Sequence, residues 1–203
     1  LTITASTARS AADFAKIYGV ETLNLSNYTG SADLTGTDGL TSQLNTGSGV
    51  NSITIDNAMN ITDIGGSDTL YTMATMDLSG RLSGIEKLSV ASSTTTTLDY
   101  TDIGAGKVSV LTGAGNININ GATSMDISST DVSGLSNDKL NILGTAGSDN
   151  LVIDFSQIGK VQFDGNGGAS DTVSFNTSSV ASGTTFDTNA FNNIDVLDIS
   201  KLG

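Results

Sequence analysis

The sequence predicts an all-β chain folded as a parallel β-solenoid, a β-roll or β-helix built from short strands. Three observations carry that expectation. First, a phrase recurs: Gly19-Val20-Glu21-Thr22-Leu23-Asn24-Leu25, Gly84-Ile85-Glu86-Lys87-Leu88-Ser89-Val90 and Asn193-Ile194-Asp195-Val196-Leu197-Asp198-Ile199. Each copy gives an aliphatic residue, an acid, a spacer, then apolar–polar–apolar; degenerate repeats of this kind mark stacked, quasi-one-dimensional architectures. Second, Ser, Thr, Asn, Asp and Gly supply 115 of the 203 residues, while 37% of the chain is hydrophobic. That mixture suits many short strands joined by many turns, and it is too apolar for a disordered tract. Third, from about residue 50 apolar residues alternate with polar ones, the period of a strand with one face in and one face out.

The elements follow in chain order. Residues 1–45 read as an irregular leading segment. Within it Ser10 is placed to cap a short helix over 11–18, with Asp13 at the third position and Gly19 as the stop. Residues 46–203 read as the solenoid body. Its inward positions are Ile53 and Ile55, Leu88 and Val90, Val108 and Val110, Ile117 and Ile119, Met125 and Ile127, and Leu140 and Ile142. Leu151, Ile153 and Phe155, Val161 and Phe163, and Val173 and Phe175 continue the series. Ser89, Ser109, Asn118, Asp126 and Asn141 fall on the opposite phase. The strand centres are mostly about eight to twelve residues apart, a spacing that also suits an antiparallel β-sandwich, the alternative fold. The strands are shorter than sandwich strands of roughly five or six residues, and a consistent Asn-Gly or Asp-Gly hairpin signal is missing.

Composition narrows the chemistry. The acids are 19 Asp against Glu21 and Glu86 alone, and there is no Pro. Asp favours turns and caps where Glu favours helices, which argues against a bundle. Without Cys there is neither a disulfide framework nor thiolate chemistry, and without His the commonest general base and zinc ligand are absent. A formal charge of −13 makes nucleic acid and anionic membranes poor partners and cations good ones. No apolar run is long enough for a transmembrane helix, so membrane insertion is not expected. The chain starts at Leu1 with no charged n-region, which reads as a piece of a longer protein with no visible signal peptide.

A second phrase, small residue–spacer–Asp–spacer–Leu or Val, appears around Asp38, Asp68, Asp138, Asp149 and Asp171. Its fullest form, Leu140-Asn141-Ile142-Leu143-Gly144-Thr145-Ala146-Gly147-Ser148-Asp149-Asn150-Leu151, resembles a degenerate repeats-in-toxin (RTX) unit. A second partial match is Asn166-Gly167-Gly168-Ala169-Ser170-Asp171-Thr172-Val173; Gly65-Gly66-Ser67-Asp68-Thr69-Leu70 and Gly36-Thr37-Asp38-Gly39-Leu40 are weaker. The stretch from Asp171 through Ile199 resembles spacer modules of bacterial surface-layer proteins and giant adhesins. The resemblance implies an extracellular, cell-surface module exported by type I secretion and folding with calcium outside the cell. Its partners would be copies of itself, a glycan or a host surface.

The departures from the RTX pattern are informative. Calcium-binding β-rolls need consecutive repeats, whereas these phrases stand 30, 70, 11 and 22 residues apart. Asp149, Asp164, Asn166 and Asp171 are the candidate calcium ligands, because calcium takes carboxylate, amide and carbonyl oxygens. The competing reading makes them turn residues that accept hydrogen bonds from nearby backbone N–H groups. The same choice applies to Glu21 and Glu86, for which a corner-capping role is the expectation. A carbohydrate-active β-helix enzyme or glycan-binding module is the second functional class. With Arg9, Arg81 and six scattered Lys there is little basic machinery for a lyase, and no enzyme activity is expected. Thr94-Thr95-Thr96-Thr97 occurs once, too little for a repeated threonine array.

Overall fold

The computed structural model describes residues 10–14, 17, 19–28, 30–36, 40–49, 52–63, 65–121, 123–168, 170–177, 180 and 188–202. The first strands are β1 (Val20–Leu25), β2 (Ser31–Asp33), β3 (Leu40–Thr46), β4 (Ser52–Ile55), β5 (Asn60–Thr62) and β6 (Thr69–Thr72). Then come β7 (Met76–Asp77), β8 (Leu82–Ser83), β9 (Lys87–Val90), β10 (Thr95–Asp99), β11 (Val110–Gly113), β12 (Asn116–Asn120) and β13 (Ser124–Asp126). The last are β14 (Asp131–Leu135), β15 (Leu140–Leu143), β16 (Asn150–Ile153), β17 (Val161–Asp164), β18 (Thr172–Phe175), β19 (Phe191–Asn192) and β20 (Val196–Asp198). Every strand pairing among the described residues is parallel, so the chain is a β-solenoid of about seven turns and the sandwich alternative is set aside.

The strands stack into four sheets, in the orders β1-β3-β5-β8, β2-β4-β6-β9-β11-β14, β7-β10-β12-β15-β17-β19 and β13-β16-β18-β20. From β7 onward a coil visits the β7–β19 sheet, then a four-stranded sheet, then the β2–β14 sheet. The two four-stranded sheets therefore occupy the same step of successive coils. Between them that step is taken by a 3₁₀ turn, Tyr100–Asp102. A second 3₁₀ turn, Phe155–Gln157, takes the step after β14 in the β2–β14 position.

Alternation becomes columns of identical depth. Ile53, Leu70, Leu88 and Leu111 are successive register partners and all are buried. Ile119, Ile142, Phe163 and Phe191 form a second column, and Met125, Leu151, Val173 and Leu197 a third. A fully buried Leu, Ile or Phe is worth about 1.5–3 kcal/mol relative to exposure, and each rung contributes to one continuous core. Outward residues pair up the stack as well: Asn141 Nδ2 donates to Asn118 Oδ1 at 3.1 Å, and Lys139 Nζ to Asn116 Oδ1 at 3.1 Å.

Two expected inward residues lie elsewhere. Val110 is only half-buried, because Ser109 N and Val110 N both donate to Glu86 O, at 2.9 and 3.0 Å. This doubled donation is a β-bulge; it shifts the phase by one and brings Leu111, not Val110, beneath Leu88. Phe155 is half-buried because it opens the second 3₁₀ turn, where its ring meets Phe175 at 5.8 Å.

The solenoid starts earlier than residue 46. β1, β2 and β3 already pair in parallel within it, where an irregular segment was expected. The weak alternation there hides buried Leu23, Leu25, Tyr28, Ala32, Leu34 and Leu44. Ahead of β1, a helix covers Ala11–Phe14; Ser10 N and Oγ donate to Asp13 Oδ2 at 2.9 and 3.2 Å, and Asp13 N donates to the Ser10 backbone carbonyl at 3.0 Å. Positions 15, 16 and 18 of the anticipated helix lie outside the described residues. Phe14 is 1% exposed and closes the first coil.

Candidate functional site

The best RTX-like phrases form stacked corners. Gly144–Asp149 joins β15 to β16, Gly165–Asp171 joins β17 to β18 one coil later, and Asn193–Asp195 joins β19 to β20. Register on both sides fixes the stack: Leu143 lies opposite Asp164 and Asn150 opposite Thr172. Gly144 N donates to Asp164 O at 2.8 Å, Gly165 N to Asn192 O at 3.1 Å, and Thr172 N to Asp149 O at 2.8 Å.

The acids inside these corners bind backbone. Asp149 is 2% exposed and Asp171 0%. Asp171 Oδ1 accepts from Asp149 N at 2.9 Å, across 22 residues, and its Oδ2 accepts from Gly168 N at 3.2 Å. Asp149 Oδ2 accepts from Thr145 N at 2.7 Å and its Oδ1 from Thr145 Oγ1 at 2.9 Å. Asp195 Oδ2 accepts from Asp171 N at 2.8 Å. The result is a ladder in which the acid of one coil holds the corner N–H of the coil before. A buried N–H must find an acceptor or cost the fold its desolvation, and here the acceptor is a carboxylate.

The glycines of the phrase sit where the coils approach closely. A Cβ on Gly165 would overlap the Asn193 carbonyl oxygen and sit 2.6 Å from Asp171 Oδ2, and one on Gly168 would overlap the Gly147 carbonyl oxygen and sit 2.7 Å from Asp171 Oδ1. A Cβ on Gly144 would overlap Asp149 Oδ2. The Gly–Asp pattern thus meets two packing requirements, the backbone of the neighbouring coil and the inward-folded acid.

The recurring phrase shows the same device on another face. Glu86 Oε2 accepts from Asp68 N at 2.8 Å, and Lys87 N donates to Asp68 O at 3.0 Å. Glu86 and Asp195, second and third copies of the phrase, therefore do the same job on different sheets. Glu21 differs: its side chain is exposed, and its backbone carbonyl accepts from Ser42 Oγ. Asp38, with its flanking residues 37 and 39, lies outside the described residues.

Asp164 and Asn166 stand at the rim of this corner. Asp164 Oδ1 accepts from Asn166 N at 2.9 Å and from Asn193 Nδ2 at 2.8 Å, while Asn166 is exposed with a left-handed φ of 59°. Of the four expected ligands, Asp149 and Asp171 are stacked and Asp164 and Asn166 are joined locally. The two buried carboxylates accept from N–H and O–H donors of their own corners. Among the described residues no three acidic, His or Cys side chains gather to hold a metal.

Asp-x-Ser turns lower the pKa of the acids that open them. The Ser79 hydroxyl and backbone N–H hold Asp77 below the ordinary carboxylate range, and Ser133 does the same for Asp131. Ser156 and Thr177 lower Asp154, and Ser200 lowers Asp198.

One recurrence is absent from the reading of the sequence. Asp99-Tyr100-Thr101-Asp102-Ile103-Gly104 and Asp154-Phe155-Ser156-Gln157-Ile158-Gly159 share a pattern, and both fold as 3₁₀ turns closed by a capping box. The third turn residue is buried in each. Asp102 Oδ2 accepts from Gly80 N and Asp99 N, both at 2.9 Å. Gln157 Nε2 donates to Ile127 O at 2.7 Å and Thr130 O at 2.8 Å, and its Oε1 accepts from Asp154 N at 2.9 Å. An acid followed three residues later by Asp or Gln was the visible signal.

No helix among the described residues is long and apolar enough to cross a membrane. Comparison with protein-family models, with curated proteins and with solved structures gave no match for this chain.

Proposed function

We propose that the chain is a structural or adhesive module that extends or packs at a bacterial cell surface, as in surface-layer-like proteins and RTX adhesins. The observation that carries this reading is the acid ladder. The side chains of the conspicuous Gly–Asp corners are committed to holding one coil on the next, which is the work of a stacked spacer.

The test is assembly. Sedimentation and electron microscopy of the purified chain should show self-association, or binding of the chain to bacterial or host cell surfaces. A strictly monomeric wild type at high concentration, with no binding to bacterial or host cell surfaces, would remove the reading. Release of reducing or unsaturated sugar from polysaccharides would favour the carbohydrate-active alternative. Calcium belongs to this proposal through the RTX resemblance and the charge of −13. Melting in calcium, magnesium and sodium at matched ionic strength separates a bound ion from charge screening.

A further inference from the structure

The chain contains two Asn-Gly dipeptides, Asn120-Gly121 and Asn166-Gly167, and all four residues are exposed. By sequence and exposure they are equivalent. Their backbones are not. Asn120 is the last residue of β12, in register with Asp99 before it and Leu143 after it. Gly121 N donates to Leu143 O at 3.0 Å, so this peptide group is part of the ladder. Asn166 and Gly167 lie at the tip of the β17–β18 corner, both left-handed, with φ of 59° and 77°. Asn166 N is held by Asp164 Oδ1. Among the described residues no hydrogen bond holds the Gly167 N–H, and this is what separates the two sites, since a Cβ on either glycine would meet nothing within 4 Å.

We propose that Asn166-Gly167 is a self-modifying site, at which Asn166 deamidates through a cyclic imide, and that Asn120-Gly121 is protected by its ladder bond. In the step, Gly167 N attacks Asn166 Cγ and loses its proton, forming the new N–C bond. The Cγ–Nδ2 bond breaks and ammonia leaves. Water then adds to one imide carbonyl and opens the ring, giving aspartate or, with the chain rerouted through the side chain, isoaspartate. Nothing is oxidised or reduced, and water is the sole co-reactant. Ring closure requires the Gly nitrogen to give up any hydrogen bond and the Asn–Gly peptide to rotate. Only the 166–167 peptide meets both needs without breaking a coil-to-coil bond.

The product adds a negative charge beside Asp164 and, as isoaspartate, lengthens the backbone between Gly165 and Gly168. Those two glycines pack against the Asp171 carboxylate, so the modification reaches the acid ladder itself.

The experiment is native-state peptide mapping. The intact chain is incubated at neutral to mildly alkaline pH and 37 °C, sampled over weeks, digested, and the deamidated fraction of each Asn-Gly peptide measured by mass spectrometry. A parallel sample is unfolded in urea. The native chain should deamidate at Asn166 at least tenfold faster than at Asn120, and urea should bring the two rates to within about threefold. Asn166→Gln should remove the fast native signal and leave the slow one unchanged. Equal native rates, a faster Asn120, or no native reaction at Asn166 while urea permits it would each overturn the proposal.

Discussion

Replacing Asp171 by Ala removes the carboxylate at the centre of the ladder and leaves two buried donors, Asp149 N and Gly168 N, without their acceptor. An orphaned buried donor costs about 1–3 kcal/mol. Removing a buried charge returns part of its own desolvation cost. The net loss is then about 3 kcal/mol. For a chain of this length that lowers the melting temperature by roughly 6–12 °C. The assay is urea and thermal unfolding by circular dichroism, in chelator throughout. Asp149→Ala, whose carboxylate serves Thr145 at a less enclosed edge, should lose about 2 kcal/mol by the same count. Asp126→Ala is the control: its carboxylate accepts only from Ser128 N on the surface, and water replaces it at a cost below about 1 kcal/mol. If Asp171→Ala matched Asp126→Ala, the capping argument would fail. If the three variants differed only when calcium was present, these aspartates would be metal ligands.

Three further outcomes follow from the same geometry. Gly165→Ala should cost as much as losing the acid, about 2–3 kcal/mol, because its Cβ would overlap the Asn193 carbonyl oxygen of the next coil and sit 2.6 Å from Asp171 Oδ2; urea midpoints check it. Gln157→Leu should destabilise by about 2–4 kcal/mol, since it removes the side-chain partners of Thr130 O and Asp154 N and one of the two donors to Ile127 O, which keeps Thr130 N, and Gln157→Glu should be at least as damaging because it sets a carboxylate against two carbonyls. Asp77, Asp131 and Asp154 have their folded pKa values depressed, so their stabilisation is present above the unfolded carboxylate pKa and disappears as pH falls through the folded values. The urea midpoint should therefore hold steady from about pH 8 to 5 and drop below about pH 4; a midpoint that rose on acidification through that window would contradict the assignment.

Much of the fold is legible in alternation alone. Ile117 and Ile119, Leu151 and Ile153, and Val173 and Phe175 point inward as the period of two requires, and Asp149 and Asp171 stack because their spacing matches one coil. Alternation does not announce a bulge, so Val110 was misplaced: the doubled donation to Glu86 O depends on the neighbouring coil, not on residues 108–111. Strands β1 to β3 escaped because Ser, Asn and Thr fill outward positions among them and Tyr28 and Ala32 do not look like strand core. At the corners, the residue types pointing to calcium and those needed for an inward acid cap are the same. Glycine is required in both, for close approach, and only side-chain direction separates them. The 3₁₀ turns were readable as Asp-x-x-Asp and Asp-x-x-Gln, but what their third residues touch, Gly80 in one case and Ile127 with Thr130 in the other, lies a coil or more away.

Amide hydrogen exchange at the ladder itself is the most direct measurement, because it reads the N–H groups that the acids are said to hold. With calcium removed by chelator, the amides of Asp68, Asp149 and Asp171 should exchange as slowly as strand amides such as those of Leu151 and Val173, since Glu86, Asp171 and Asp195 already occupy them. Adding calcium should leave these rates unchanged. Rapid exchange of the three amides in chelator, with protection gained only when calcium is added, would contradict the account and hand these carboxylates back to a metal.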